Sequence, residues 1–261
     1  MAGAALIRPW LPRRLDHGEE ASLVEHLDEL RQRLFFCIGA VAVGAVIGFV
    51  IHNRLIHYLK ITLPKNHREL VTLTVGEPFM TSLWVSIYFG FLLATPVILW
   101  QVWSFFIPAV ERSHALMMRW FVILAAVLLA TGIVFGYFVA LPAAEHFLTN
   151  YDNQTYHVVI QAKPFLSFAT QVLFAMGIVF ELPLFVVGLT RLGILTTTKL
   201  RKNRRIGYFI VACVGVALPG VDPVTTIIET LPLCVLFEAS IWMSILLDRR
   251  SARMKTAALE A

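Results

Sequence analysis

The sequence predicts an all-α, polytopic membrane protein with six transmembrane helices, and three observations carry that prediction. Of 261 residues, 58% are hydrophobic and only 15% charged, against about 25% charged in an ordinary soluble domain, so the surface cannot be mostly water-facing. The charges gather in short clusters between long uncharged runs, and a helix needs roughly 20 apolar residues to cross a core of about 30 Å. Lys and Arg are also divided unevenly between alternate loops, as the positive-inside rule demands of a polytopic chain.

In chain order, residues 1–21 read as a polar, disordered tail. Basic and acidic residues alternate there, and no small-residue cleavage site follows the first apolar run, which argues against a cleaved signal peptide. Ser22-Leu23-Val24-Glu25 fits a capping box and starts a helix. Leu23, Leu27, Leu30 and Leu34 recur at helical spacing, while Glu25, Asp28, Glu29, Arg31 and Arg33 occupy the rest of its surface. One reading exposes a carboxylate face for recognition. The other is a solvated, Arg-balanced helix in which Glu29 pairs with Arg33 at i, i+4, worth about 0.2–0.5 kcal/mol.

Runs 34–53, 78–110 and 120–144 contain no Asp, Glu, Lys or Arg, and run 164–190 contains only Glu181. Run 206–218 is clean but short, about 20 Å as a helix, and Pro219-Gly220 ends it. Run 223–247 carries Glu229 and Glu238, so the last pair reads as a tight hairpin of two short spans, around which the bilayer thins or other helices give shelter. The folded membrane domain is thus 22–247, with a second polar tail at 248–261. Of the 22 Lys and Arg, only Arg54, Lys60, Lys65, Arg68 and Lys163 fall on the external face, so both termini are expected in the cytoplasm. Trp100, Trp103 and Trp120 flank one cytoplasmic cluster as an interfacial belt would.

Glu181 lies ten residues before Arg191, about 15 Å into the membrane. A central charge costs roughly 2.5–3.5 kcal/mol on insertion scales, so Glu181 is a functional candidate, the alternative being a carboxyl hydrogen-bonded to a neighbouring helix. Glu229 and Glu238 stand nine positions apart, on nearly opposite faces of a straight helix. Asp222, in Leu218-Pro219-Gly220-Val221-Asp222-Pro223, has turn and helix-capping duties open to it. Cys37, Cys213 and Cys234 sit in apolar runs as small fillers and build no disulfide framework. The eight histidines form no ligand set, and no nucleotide, zinc-protease or nucleophile-elbow motif is present. No enzyme activity, cofactor or metal is therefore expected. The net charge of +5 is accounted for by loop topology, with nucleic acid excluded as a partner. A proton-coupled secondary transporter using Glu181 and Glu238, and a passive scaffold, remain competing classes.

Four ordered motifs bear a family resemblance. The segment Glu25-His26-Leu27-Asp28-Glu29-Leu30-Arg31-Gln32-Arg33-Leu34 resembles the start of TatC, the multispanning subunit of the twin-arginine protein translocase. Pro96-Val97-Ile98-Leu99-Trp100-Gln101-Val102-Trp103 with Phe105 and Pro108 is similar to that family's second span and first cytoplasmic loop. Phe180-Glu181-Leu182-Pro183 resembles its fourth-span motif, and Leu218 to Asp222 its last external turn. The resemblance implies a receptor in the cell's cytoplasmic membrane for twin-arginine signal peptides of folded precursors. It also implies recruitment of TatA- and TatB-type partners and other TatC copies in the bilayer, and export driven by the proton-motive force. It assigns signal binding to Glu29, Arg31 and Phe105, together with a loop acid. An ungapped match puts His114 at the loop-acid position, and Glu111, about one helical turn earlier, is the nearest carboxylate. Glu181, Pro183, Asp222 and Glu238 would serve partner contact and translocation. Thr225-Thr226 stands where the family favours Ser-Gln.

Overall fold

Apolar runs in a bilayer must satisfy their own backbone, which leaves helices as the available form for single segments. A computed structural model of the chain describes the backbone of residues 23–106, 112–152, 155, 158–220 and 222–260, with side chains for 27–105, 120–152, 155, 158–220 and 222–248. The elements are α1 (Leu23–Val50), α2 (His52–Thr62), a 3-10 turn (Lys65–His67), α3 (Glu77–Phe106) and α4 (Arg112–Phe135). A π-helical turn (Gly136–Ala140) leads into α5 (Leu141–Asn150), followed by α6 (Ala162–Val179) and α7 (Leu182–Arg191). The chain closes with α8 (Thr197–Lys202), α9 (Arg204–Ala217) and α10 (Pro223–Glu260).

Among the described residues, five stretches are long and apolar enough to span a membrane: Leu27–Val50, Glu77–Phe105, Trp120–Asn150, Ala162–Arg191 and Pro223–Asp248. The sixth apolar helix, α9, has 14 residues, about 21 Å, as short as the sequence predicts. Its partner is not short. The apolar part of α10 covers 26 residues, because neither acid interrupts it: Glu229 is buried and Glu238 is bonded to α9. The helix also continues to Glu260, beyond the predicted boundary of the tail. Residues 249–260 contain neither Gly nor Pro and are rich in Ala and Arg, good helix formers.

The burial pattern inverts that of a water-soluble protein. Val46 and Val50 are 65% and 77% exposed, whereas Glu181 and Glu229 retain 2% and 1%. Apolar side chains thus face lipid, and carboxyls face protein.

α1 packs chiefly on α3, along a seam of Gly44, Gly48, Ser86 and Gly90. A Cβ added at Gly90 would lie 2.4 Å from the Ala45 backbone nitrogen, and one at Gly44 would lie 2.8 Å from the Gly90 carbonyl oxygen. Small residues let membrane helices approach this closely. Gly90→Ala is therefore expected to lower stability by about 1–3 kcal/mol through overpacking, read as a fall in melting temperature in detergent. Gly39→Ala on the same α1 meets nothing within 4 Å and should be neutral or slightly stabilising.

At the far end of the bundle from Glu29, α2 and the 3-10 turn, which the sequence reads mostly as loop, join the end of the third span in an ordered cap. The Tyr137 hydroxyl donates to the Tyr58 carbonyl at 2.9 Å, and the Thr62 hydroxyl to Glu145 Oε1 at 2.7 Å, tying α2 to the π turn and α5. Arg68 donates to the carbonyls of Leu63 and Ile61, at 3.0 and 2.9 Å, where α2 ends. Val71 forms an isolated parallel bridge with Gln161. Glu77 accepts from the Leu73 amide, the Gln161 side chain and the Lys163 amide at 3.0–3.1 Å. One carboxylate thereby joins the start of α3 to the first turn of α6, where free helix N–H groups favour an anion.

Candidate functional site

The first candidate group lies where the start of α1 meets the end of α3. Glu29 and Arg33 are one helical turn apart, and Arg33 reaches Glu29 Oε1 through Nη2 at 2.6 Å and through Nε at 3.0 Å. The other edge of the guanidinium donates to the Gln101 carbonyl and side-chain oxygens at 3.2 and 3.0 Å, and Nη2 lies 3.4 Å from the Ser104 carbonyl. A cation is favoured there, since the terminal carbonyls of a helix carry partial negative charge. Arg33 thus fastens the α1 extension to α3, a role that sequence spacing foretold only in its local half. Glu29 keeps 32% side-chain exposure, and among the described residues its Oε2 makes no hydrogen bond.

The remaining residues of this group are dispersed. Arg31 points away from Glu29, two positions along the helix, and lies over the Phe35 ring at 5.7 Å. Phe105 is half-buried in the last turn of α3, one residue beyond Ser104. Glu111 and the side chain of His114 lie outside the described residues.

A second group sits inside the bundle, where α6 breaks before α7. Pro183 has no N–H to offer the carbonyl of Val179, and its ring crowds the preceding turn. Glu181 occupies the break, its amide bonding back only three residues to Ile178 at 3.0 Å. Its carboxyl turns toward the Leu129 backbone on α4, yet neither oxygen has a hydrogen-bond partner of good geometry. Below it, Trp103 closes on Gly188, where any Cβ would lie 1.9 Å from the indole. Phe121 and Phe185 meet the indole edge-on at 5.1 and 5.6 Å. α7 is thereby wedged rigidly behind the unpartnered acid.

The acids of the last helix are spent differently. Asp222 caps α10, accepting from the Thr225 amide at 2.8 Å and the Thr225 hydroxyl at 2.5 Å, which is the capping reading of that residue. Glu238 accepts from the Tyr208 hydroxyl at 2.6 Å and pairs with Arg204 at 3.5 Å, pinning α9. Glu181 faces α4 and Glu238 faces α9, so these two do not form one ligand pocket. Two buried acids escaped sequence reasoning, Glu77 and Glu145, because each abuts a clean apolar run and reads as its polar boundary.

A model of the family described as Sec-independent protein translocase protein (TatC) matches residues 25–232 of this chain. The chain belongs to the TatC family. Its relatives include the Sec-independent protein translocase protein TatC of Carboxydothermus hydrogenoformans, 32% identical, with 85% of this chain and 92% of that protein covered. The TatC protein of Aquifex aeolicus is 34% identical over 90% of this chain and 99% of its own length. A crystal structure of the twin arginine translocase receptor TatC in DDM superposes with a TM-score of 0.74 at 30% identity, covering 84% of this chain and 99% of that one. As a TatC-family member, this chain is a non-enzymatic membrane component of the Sec-independent protein translocase.

Proposed function

We propose that this TatC-family chain is the receptor for twin-arginine signal peptides of folded precursors, bound at the face that carries Glu29. It lies in the cytoplasmic membrane with both termini in the cytoplasm and, counting α9, crosses six times. The observation that carries the reading is the pair of Glu29 with Arg33: this carboxylate already accepts a guanidinium fork while half of it stays open. A signal arginine presents the same fork, and Arg33 keeps Gln101 and Ser104 as acceptors when Glu29 changes partner. Lysine, a point charge, lacks that geometry.

Exposed ion pairs contribute only about 0–1 kcal/mol each, so the signal needs more than Glu29. Arg31 and Phe105 extend the surface, and Glu111 supplies the second acid, with His114 as a weaker, pH-dependent substitute. Glu181 and Pro183, with Asp222 and Glu238 on the last helix, belong to the surfaces that meet TatA- and TatB-type single-span partners and other TatC copies. The proton-motive force supplies the energy, the chain having no nucleotide motif.

The test is co-purification with a precursor whose signal arginines are intact or changed to lysines. Retention of the arginine form and loss of the lysine form is expected. Equal retention of both forms would remove the receptor reading, and saturable uptake of a small solute by the chain alone in vesicles would replace it with a transporter.

A further inference from the structure

At the end of the bundle opposite Glu29, the ends of α1, α2 and α3 and the start of α6 line an open cavity of about 450 Å³, within the size range of small-molecule sites. Its lining contains Lys60, His52, Asn53, Thr72, Thr81 and Ser82, and no carboxylate. Two acids adjoin the lining in sequence: Glu77 has both oxygens engaged by Leu73, Gln161 and Lys163, and Glu69, next to Leu70, is exposed and outside the lining. The ion pairs among the described residues are Glu29 with Arg33 and Arg204 with Glu238, so the Lys60 ammonium is uncompensated there. His52 is held in place, Nδ1 lying 2.6 Å from the Phe49 carbonyl, which leaves Nε2 for the cavity.

Thr81 is the informative residue. Elsewhere on α3 the hydroxyls of Ser82, Ser86 and Thr95 bond back to the carbonyl four residues earlier, at 2.6–2.9 Å. Thr81 is 3% exposed and its hydroxyl has no partner, although it lines the cavity. A buried hydroxyl left unbonded destabilises the fold, a cost that a ligand oxygen would remove. Part of the lining is apolar. Phe49 and Phe79 meet edge-to-face at 6.2 Å, His52 stacks on Phe49 at 5.2 Å, and both phenyl rings are exposed, continuing onto the outward-facing Val50 and Met80. The cavity therefore combines cationic and hydroxyl-bearing side chains with an exposed apolar surface, set where the spans Leu27–Val50 and Glu77–Phe105 terminate.

We propose that this cavity binds the phosphate of an anionic phospholipid, with Lys60 and Thr81 holding phosphate oxygens and the acyl chains lying over Phe49 and Phe79. Basic pockets between membrane helices take anionic head groups in this way, and an ammonium binds phosphate as a point charge without needing a planar fork. The lipid comes from the leaflet remote from Glu29, so the site is separate from signal recognition and does not depend on it.

The test is native mass spectrometry of the detergent-purified full chain, titrated with phosphatidylglycerol, phosphatidylcholine or inorganic phosphate. Phosphatidylglycerol is expected to be retained as one tight equivalent in preference to phosphatidylcholine, and millimolar inorganic phosphate should not displace it. Lys60→Gln should weaken retention about fivefold, the worth of one cation near an anionic surface. Thr81→Val should weaken it by a similar factor, while Lys60→Arg and Arg54→Gln, the latter outside the cavity, should leave it unchanged. Equal retention of the two lipids, or unaltered retention in Lys60→Gln with the helical circular dichroism of the parent, would overturn the site. Displacement by inorganic phosphate at equal concentration would overturn the lipid as its source.

Discussion

Glu29→Ala is expected to cut site-specific cross-linking to a twin-arginine precursor by up to about fivefold, with the fold unchanged. A part-exposed ion pair contributes at most about 1 kcal/mol, and about 1 kcal/mol is roughly a fivefold change in affinity. The fold should survive because Arg33, deprived of Glu29, keeps its bonds to Gln101 and Ser104 and so still ties α1 to α3. Glu29→Asp retains the charge one methylene short and should fall between the two. Undiminished cross-linking in Glu29→Ala, together with normal export, would move recognition elsewhere. An equal loss for a lysine-substituted signal would show that Glu29 supplies charge without arginine geometry.

Glu181→Leu should raise the melting temperature in detergent while impairing transport and leaving precursor binding intact. A carboxyl that is 2% exposed and lacks a hydrogen-bond partner is a standing cost of roughly 1–3 kcal/mol to the resting fold, which an apolar side chain of similar volume removes. Sites that hold a destabilising group in this way trade stability for function. The function proposed for Glu181 is a bond completed only when a partner helix docks. A fall in melting temperature would mean that the carboxyl is already satisfied in the resting chain. Normal transport by the stabilised variant would dismiss Glu181 from the mechanism.

The parts of this architecture that depend on neighbours in sequence were legible in advance. The spans followed from charge-free runs, the helix break from Glu181 and Pro183 in one motif, and the Glu29–Arg33 pair from i, i+4 spacing. What escaped was set by distant segments. Arg33 reaches Gln101 and Ser104 because the α1–α3 glycine seam fixes where α3 ends, and no local pattern records that. Glu77 and Glu145 looked like polar edges of apolar runs, and only the packing of α6 on α3 and of α2 on α5 turns them inward. α10 outruns the expected boundary at 247 for a local reason: residues 249–260 are charged but contain neither Gly nor Pro, and charge alone does not end a helix.

The π turn at Gly136–Ala140 bears on the family's history of insertions and deletions. A π turn holds one residue more than an α turn, and in a continuous helix each added residue rotates everything after it by about 100°. Here the surplus is absorbed where it occurs, so α4 can present Leu129 to Glu181 while α5 still presents Glu145 to Thr62. A single-codon insertion in the third span could thus have been accepted without re-aiming either end. Relatives one residue shorter between Phe135 and Leu141 would be expected to carry an uninterrupted α-helix there, with the residue equivalent to Glu145 still opposite Thr62.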